Sequence, residues 1–578
     1  MTSKVEMTRP ADRRRTSAGI GSAGGAVDPL PGLGPLGSLP APSASLDGAI
    51  VLGDPATTPD ALVLGEPGPL GSAVPVPALG RRARVPAAAL AATAVAGTRV
   101  AQRPGGHLAP HDADTAGQTA VREPGDLLDL DLSADRDACL GDPFGEGADD
   151  DLGRGPGDVP RLEWTWPLRM VNPVRSHGWG SASGLAGVQR RPAGRRPEAE
   201  LWIGAHPVAS SALVDSEGRE VPLLEAVDCD PEGLLGRPHR NRFGARLPFL
   251  LKVIAVERAM AVQVHPVRRQ AAEGFARQEA AGIPLRSAAR TFVDPHAKPE
   301  LLLALTPFDA LIGLREPRHC ARLIELLDVA PLLPLRRVLG AAAATGQGAS
   351  REGTVEALVR LAAWPFRQRA VLAAGVSDAA RAALVNPVTA HRPDTRTALE
   401  WVIRLADQHP GDPLVLAPLF LEYVHLEPGQ SAFVPPGVLH TFLRGVALEA
   451  AASSANVIRA GLTRRPVDPE AVQAAVEVAA RPLIGVGEEQ TGRHETTLLA
   501  PAEEFRLSRI ALAGTGVVAP SPRPAGPQIM LCLDGEVEVG VGARLAHLCS
   551  GESAFLGPQA RDVVLSGEGT VYRITAGG

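Results

Sequence analysis

The sequence predicts a mainly β protein with a helical insertion, preceded by a long segment that does not fold. Three observations predict it. Short apolar runs separated by turn residues flank a central stretch, that stretch changes to apolar spacings of three and four, and one segment repeats without gaps. At 578 residues the chain is too long for one core, and two to four folded units are expected.

Residues 1–161 form the non-folding segment. They are rich in Pro, Gly and Ala, as in Leu30-Pro-Gly-Leu-Gly-Pro-Leu-Gly, carry an acidic patch at Asp149-Asp150-Asp151, and show no sustained period of 2 or 3.6. Such a segment buries too little apolar surface to offset its ordering entropy, so disorder is expected. Residues 162–315 are the first part of a β domain, with strands expected in Leu247-Pro-Phe-Leu-Leu-Lys-Val-Ile and Ala261-Val-Gln-Val-His. Residues 316–410 are the insertion. Ala321-Arg-Leu-Ile-Glu-Leu-Leu, Val355-Glu-Ala-Leu-Val-Arg-Leu and Ala398-Leu-Glu-Trp-Val-Ile-Arg-Leu each have the spacing of an amphipathic helix. Residues 411–470 complete the β domain, with strands expected from Leu414 to about Arg459, and residues 471–578 form a second β unit that is strand-like from Phe505 to Ile574.

The repeat places Gly429-Gln-Ser-Ala-Phe-Val-Pro-Pro-Gly-Val-Leu-His440 on Gly551-Glu-Ser-Ala-Phe-Leu-Gly-Pro-Gln-Ala-Arg-Asp562. Two copies of one β unit follow. The first has His440 where the second has Asp562, so a metal site is expected in the first alone.

Composition narrows the partners. A net charge of −6 points to neither nucleic acid nor an anionic membrane. The most apolar N-terminal stretch, Ala87 to Ala96, is too short to span a bilayer, and no leader pattern precedes it, so a cytoplasmic protein is expected. Cys139, Cys229, Cys320, Cys532 and Cys549 show no CxxC spacing, which indicates neither a disulfide framework nor a thiolate metal site. Any metal must then be held by imidazole, carboxylate or amide. Positive charge is almost all arginine, with lysine only at positions 4, 252 and 298. Lysine can lose its proton near neutral pH and arginine cannot, which makes these three positions candidates for chemistry.

Gln263 and His265 lie two apart on an expected strand and so share a face. Glu300 follows Lys298-Pro299, where the proline keeps the chain extended. His440 follows a Pro-Pro-Gly turn in a G-x5-P-x-G-x2-H spacing that resembles the second sequence motif of cupins, with Arg444 where that family has a trailing Asn. Two imidazoles, a carboxylate and an amide oxygen suit zinc and leave room for a water or a substrate oxygen, as in a catalytic site.

Several motifs together resemble type I mannose-6-phosphate isomerases, over about Val171 to Gly578. They are Asn172-Pro-Val-Arg followed by Trp179-Gly-Ser, Ala199-Glu-Leu-Trp-Ile-Gly-Ala-His-Pro, Leu247-Pro-Phe-Leu-Leu-Lys-Val, Val262-Gln-Val-His-Pro, Lys298-Pro-Glu and Asn456-Val-Ile-Arg-Ala-Gly-Leu-Thr463. The resemblance implies two cupin-type (jelly-roll) barrels plus an α-helical domain, with no metal in the second barrel. It also implies one Zn2+ per chain on Gln263, His265, Glu300 and His440, and Arg459 as the catalytic arginine.

The implied reaction interconverts mannose 6-phosphate and fructose 6-phosphate through an enediol, on the route to GDP-mannose, in a monomer whose partner is the sugar phosphate. Lys298 and Glu449 are then candidates for substrate contact or proton transfer, and Arg464 and Arg465 for the phosphate. Ala261, Ala455 and His177 depart from the family pattern. The alternative is a zinc cupin that binds a sugar phosphate without turnover.

Overall fold

The structure, a computed structural model, describes residues 166–578 apart from residues 288, 345–350, 515, 521–525 and 578. The segment expected not to fold, 1–161, and Lys4 lie outside the described residues. The folded part is mixed helix and strand, and its sheets are antiparallel.

Phe249–Val256 is buried at every position, as its unbroken apolar run except for Lys252 requires. It pairs with Glu200–Ile203 on one side and with the second half of His440–Ala452 on the other. The His440 strand is 13 residues long and belongs to two parts of the sheet. Through its first residues it pairs with Phe308–Leu314 and Val262–Val264; beyond Gly445 it pairs with Phe249–Val256 and Glu300–Ala304. Gly445 has φ +120°, and a Cβ there would lie 2.6 Å from the Pro307 carbonyl oxygen, so the change of partners needs glycine.

The two copies of the repeat have the same local structure. Gly429 and Gly551 have φ of +87° and +84°. Ser431–Val434 and Ser553–Leu556 are four-residue strands, buried throughout, and the strand that follows each copy, His440–Ala452 or Val563–Thr575, has 13 residues. The preceding turns match in detail: the Glu427 amide donates to Gln430 Oε1, and the Cys549 amide donates to Glu552 Oε2.

A second sheet joins the two ends of the folded part. Leu168–Val171 pairs with Ser553–Leu556, Leu168 standing opposite Phe555, and on its other edge with Ala212–Val214. One apolar core accordingly runs from Leu168 through Leu251, Leu301 and Leu448 to Phe555 and Ile574.

Helices form at Pro317–Leu327, Glu352–Ala362 and Pro393–Gln408, covering all three expected segments, and also at Leu333–Ala344 and Phe366–Val385. Proline at the start of the first and third supplies a preset φ where no amide donor is needed. Leu358, Leu361, Leu399, Val402 and Leu405 share a core with Val264, Leu311 and Leu443, so the helices seal the outside of the His440 and Gln263 strands. The end of Pro393–Gln408 grips the loop that leads into the Gln263 strand: Gln408 Oε1 accepts from the Ala259 amide at 2.9 Å, and the Gln408 carbonyl accepts from Arg258 at 2.6 Å.

Two local expectations are corrected. Leu414–Leu419 was expected to be strand but belongs to the 3-10 segment Pro413–Leu419, with strand from Leu421. Two prolines without amide donors and the Asp412 cap on the Leu414 amide remove it from any ladder. The strand-like region before Arg315 also contains helices, the longest being Arg268–Ala280. That helix buries only Ala271 and Gly274, so it shows almost no apolar period, and Gly274 is small because Phe292 packs directly on it.

Candidate active site

Pairing register assembles the site. His440, Gln263 and Arg459 stand directly opposite one another on three neighbouring strands, so their side chains share a face. Lys252 and Glu449 are opposite one another in the same way on Phe249–Val256 and the far half of the His440 strand. Glu300 opens its strand beside both groups.

His265, Glu300 and His440 converge, with one ligand-type atom of each within 4.8 Å of the others. All three are at most 1% exposed, and Gln263 is 8% exposed. His265 Nδ1 lies 2.7 Å from the Asn456 carbonyl and His440 Nδ1 lies 3.0 Å from the Val438 carbonyl. A carbonyl can only accept, so each Nδ1 carries the proton and each Nε2 presents a lone pair to the site. His265 Nε2 is 3.1 Å from Glu300 Oε1, and His440 Nε2 is 3.3 Å from Glu300 Oε2. These are acceptors facing acceptors: His265 Nε2 and Glu300 Oε2 have no hydrogen bond despite complete burial.

Burial, which outweighs the attraction of Glu300, holds His265 down at about 4, so the ring is neutral. Burial favours the neutral form of Glu300, but the charge of Lys298, 2.7 Å away, prevails and keeps it well below the usual carboxylate range. A buried carboxylate and two imidazole lone pairs that share no proton fit a cation. The Gln263 amide lies 3.2 Å from His440 Nε2 through its nitrogen, and a half-turn of the amide would present its oxygen at the same point.

Around this centre runs a chain of alternating buried charges. Lys298 Nζ is 2.7 Å from Glu300 Oε1 and 3.8 Å from Glu449 Oε1; Lys252 Nζ is 3.4 Å from Glu449 Oε1 and 3.1 Å from Glu200 Oε1. Burial opposes charge on Lys252, but Glu200, Glu449 and Glu300 together raise it above the ordinary lysine value. Glu449 goes the other way. Burial, opposed by Lys252 and reinforced by Glu300, pushes its carboxyl up, and its Oε1 makes no hydrogen bond.

Arg459 is partly buried and makes no ion pair among the described residues; burial, helped by the nearby Arg465, lowers it to about 10. The charge of Arg465 acts on Arg459 and that of the exposed Arg464 on His409. Of the residues singled out in the sequence, the structure brings together Gln263, His265, Glu300, His440, Lys298 and Glu449, with Arg459 on the face of Gln263 and His440.

Sequence reasoning did not place Lys252, Glu200 or Asn456 in the site, although each lies in a quoted motif. The rarity of lysine was the signal for Lys252. Asn456 acts through its backbone on His265 and through its side chain, whose Oδ1 and Nδ2 tie down the chain from Val293 to His296. His177, at a position that departs from the family pattern, stacks on Trp179 at 5.4 Å and reaches Glu200 at 3.4 Å.

Residues 168–317 match the catalytic domain of type I phosphomannose isomerases. The mannose-6-phosphate isomerase of Salmonella typhimurium is 33% identical over 420 residues, which cover 70% of this chain and 98% of that protein. The chain belongs to the mannose-6-phosphate isomerase family. The Escherichia coli family member is 31% identical over the same share of each protein. Among solved structures, mannose 6-phosphate isomerase in a zinc-bound form superposes with a TM-score of 0.62 at 29% identity, covering 72% of this chain and all of that one. A lysine-to-alanine mutant of the Salmonella typhimurium family member gives the same TM-score at 71% coverage of this chain.

Proposed function

We propose that the chain interconverts mannose 6-phosphate and fructose 6-phosphate, with zinc held by His265, Glu300, His440 and Gln263. The observation that carries the assignment is the fully buried group of two imidazole lone pairs and a carboxylate with no proton among them. Zinc bound there supplies Lewis acidity toward a substrate oxygen.

The rest is done by this chain's own groups. Arg459, without an ion-pair partner among the described residues and on the same face as Gln263 and His440, stabilises the negative charge that develops on the C1 and C2 oxygens. Glu449, pushed up by burial and lying between Lys252 and Lys298, is suited to hold and return the proton that moves between C1 and C2. Lys298 holds the Glu300 carboxylate in place and contacts the substrate. Arg465, whose charge acts on Arg459, receives the phosphate, with Arg464 adding charge at the rim.

In architecture, we read the two copies of the repeat as two cupin-type barrels with a helical insertion between the halves of the first. The chain acts as a cytoplasmic monomer and feeds GDP-mannose synthesis. No helix among the described residues is long and apolar enough to cross a membrane.

The test is turnover of mannose 6-phosphate by purified protein, with and without a chelator. Activity lost to the chelator and restored by zinc is expected. A folded, zinc-loaded sample that forms no fructose 6-phosphate would refute the assignment.

A further inference from the structure

The helical block contains an open cavity of about 590 Å³ that the isomerisation does not use. It lies between one face of the helix Pro317–Leu327 and the start of the helix Pro393–Gln408. Positive charge dominates its lining. Arg315 is already engaged: its Nε donates to the Leu421 carbonyl at 2.8 Å, and its Nη1 lies 3.2 Å from Glu422. Arg322 and Arg392 also line the cavity and make no ion pair among the described residues. Asp394 is the one carboxylate among the lining residues, at the start of its helix, where a negative side chain is ordinary.

Two further features call for an anion acceptor. Thr389 is 3% exposed and lines the cavity, and its hydroxyl has no hydrogen bond among the described residues. The first turn of Pro393–Gln408 has no side-chain cap at Arg392, so the Asp394 and Thr395 amides have no acceptor within the helix. His319, on the facing helix, also senses the local field: burial first, then Arg322, Arg318 and Arg315, hold it below its ordinary value.

We propose that this cavity binds the phosphate group of a small phosphate ester. Arg322 and Arg392 supply charge, Thr389 donates its hydroxyl, and the Asp394 and Thr395 amides close on the phosphate oxygens. Leu323 and Leu326 form an apolar wall for the organic part, and the volume is that of an ordinary small-molecule site. The site is separate from Arg459 and Arg465 and does not depend on the catalytic reading.

The experiment is hydrogen exchange on the full-length, zinc-loaded protein titrated with inorganic phosphate. Slowed exchange over residues 389–396 is expected. In an Arg322→Gln/Arg392→Gln double variant the half-saturating concentration should rise at least about tenfold, with kcat/KM unchanged. Slowing confined to residues 458–465 in the wild type would place phosphate at the catalytic site alone and overturn the proposal. Equal slowing over 389–396 in the double variant would overturn it as well.

Discussion

Lys252 shows how a single residue can be held by its neighbours' charges. Its ammonium lies between Glu200 and Glu449 with its side chain 7% exposed, so removing it leaves two buried carboxylates without their shared cation. Lys252→Met is therefore expected to destabilise the fold by about 3 to 5 kcal/mol in urea denaturation, although methionine fills similar volume. A change under about 1 kcal/mol would show that water reaches this cluster. His239 gives the chain a pH dependence of the opposite origin. Burial lowers its imidazole to about 4 even though Nε2 lies 3.2 Å from the Arg246 carbonyl. As pH falls through 6.5 the unfolded chain takes up a proton that the folded chain excludes until about 4. The stability from this group is thus complete above pH 6.5 and is lost as pH falls to 4, on the order of 3 kcal/mol in all. His239→Gln should flatten the stability profile over that window; parallel profiles for the two proteins would contradict the assignment.

Among elements, the junction of the 3-10 segment with the chain after Arg459 is the least conspicuous and has a direct consequence for the site. Asp412 accepts from the Leu414 amide at 2.8 Å and the Thr463 amide at 3.2 Å, and it caps the turn in which Leu462 adopts φ +54°. One carboxylate thereby fixes the course of the chain that carries Arg465. Asp412→Ala removes two backbone contacts that nothing else replaces. KM for the sugar phosphate should rise roughly five- to tenfold with zinc content and kcat near wild type, as expected for about 1 to 1.5 kcal/mol of lost positioning. A fall in kcat with KM unchanged would mean that Asp412 acts on the chemistry and not on the phosphate.

At the scale of the whole molecule, the first described strand lies in the same sheet as the last ones. Phe555, 1% exposed, stands opposite Leu168 and shares a core with Leu251, Leu301 and Leu448 from the strands that carry the site. The half that bears His265, Glu300 and His440 and the half built on the second copy of the repeat therefore share one core. Phe555→Ala should cost about 3 to 5 kcal/mol and lower the stability of both halves in a single unfolding transition. Two separate transitions in calorimetry, only one of them shifted, would show that the halves fold independently.

Much of this was legible in the sequence because it depends on short-range pattern. The three amphipathic helices, the Gln263 and His440 strands and the internal repeat all follow from apolar spacing and turn residues within a dozen positions. The convergence of His265, Glu300 and His440 was readable for the same reason, since the four candidate ligands fall in three short strand or turn motifs. Helix Arg268–Ala280 and the prolines at 413 and 418 were misread because their apolar residues do not mark a face. What the sequence determined by itself is therefore the kind of those elements whose apolar residues mark a face, and the residue types at the site. Only the tertiary structure decided that Lys252 and Glu449 stand opposite each other, that Gln263 faces both His440 and Arg459, and that Leu168 meets Phe555. Those are matters of strand register and long-range pairing, set by the packing of residues up to several hundred positions apart, which no local period records.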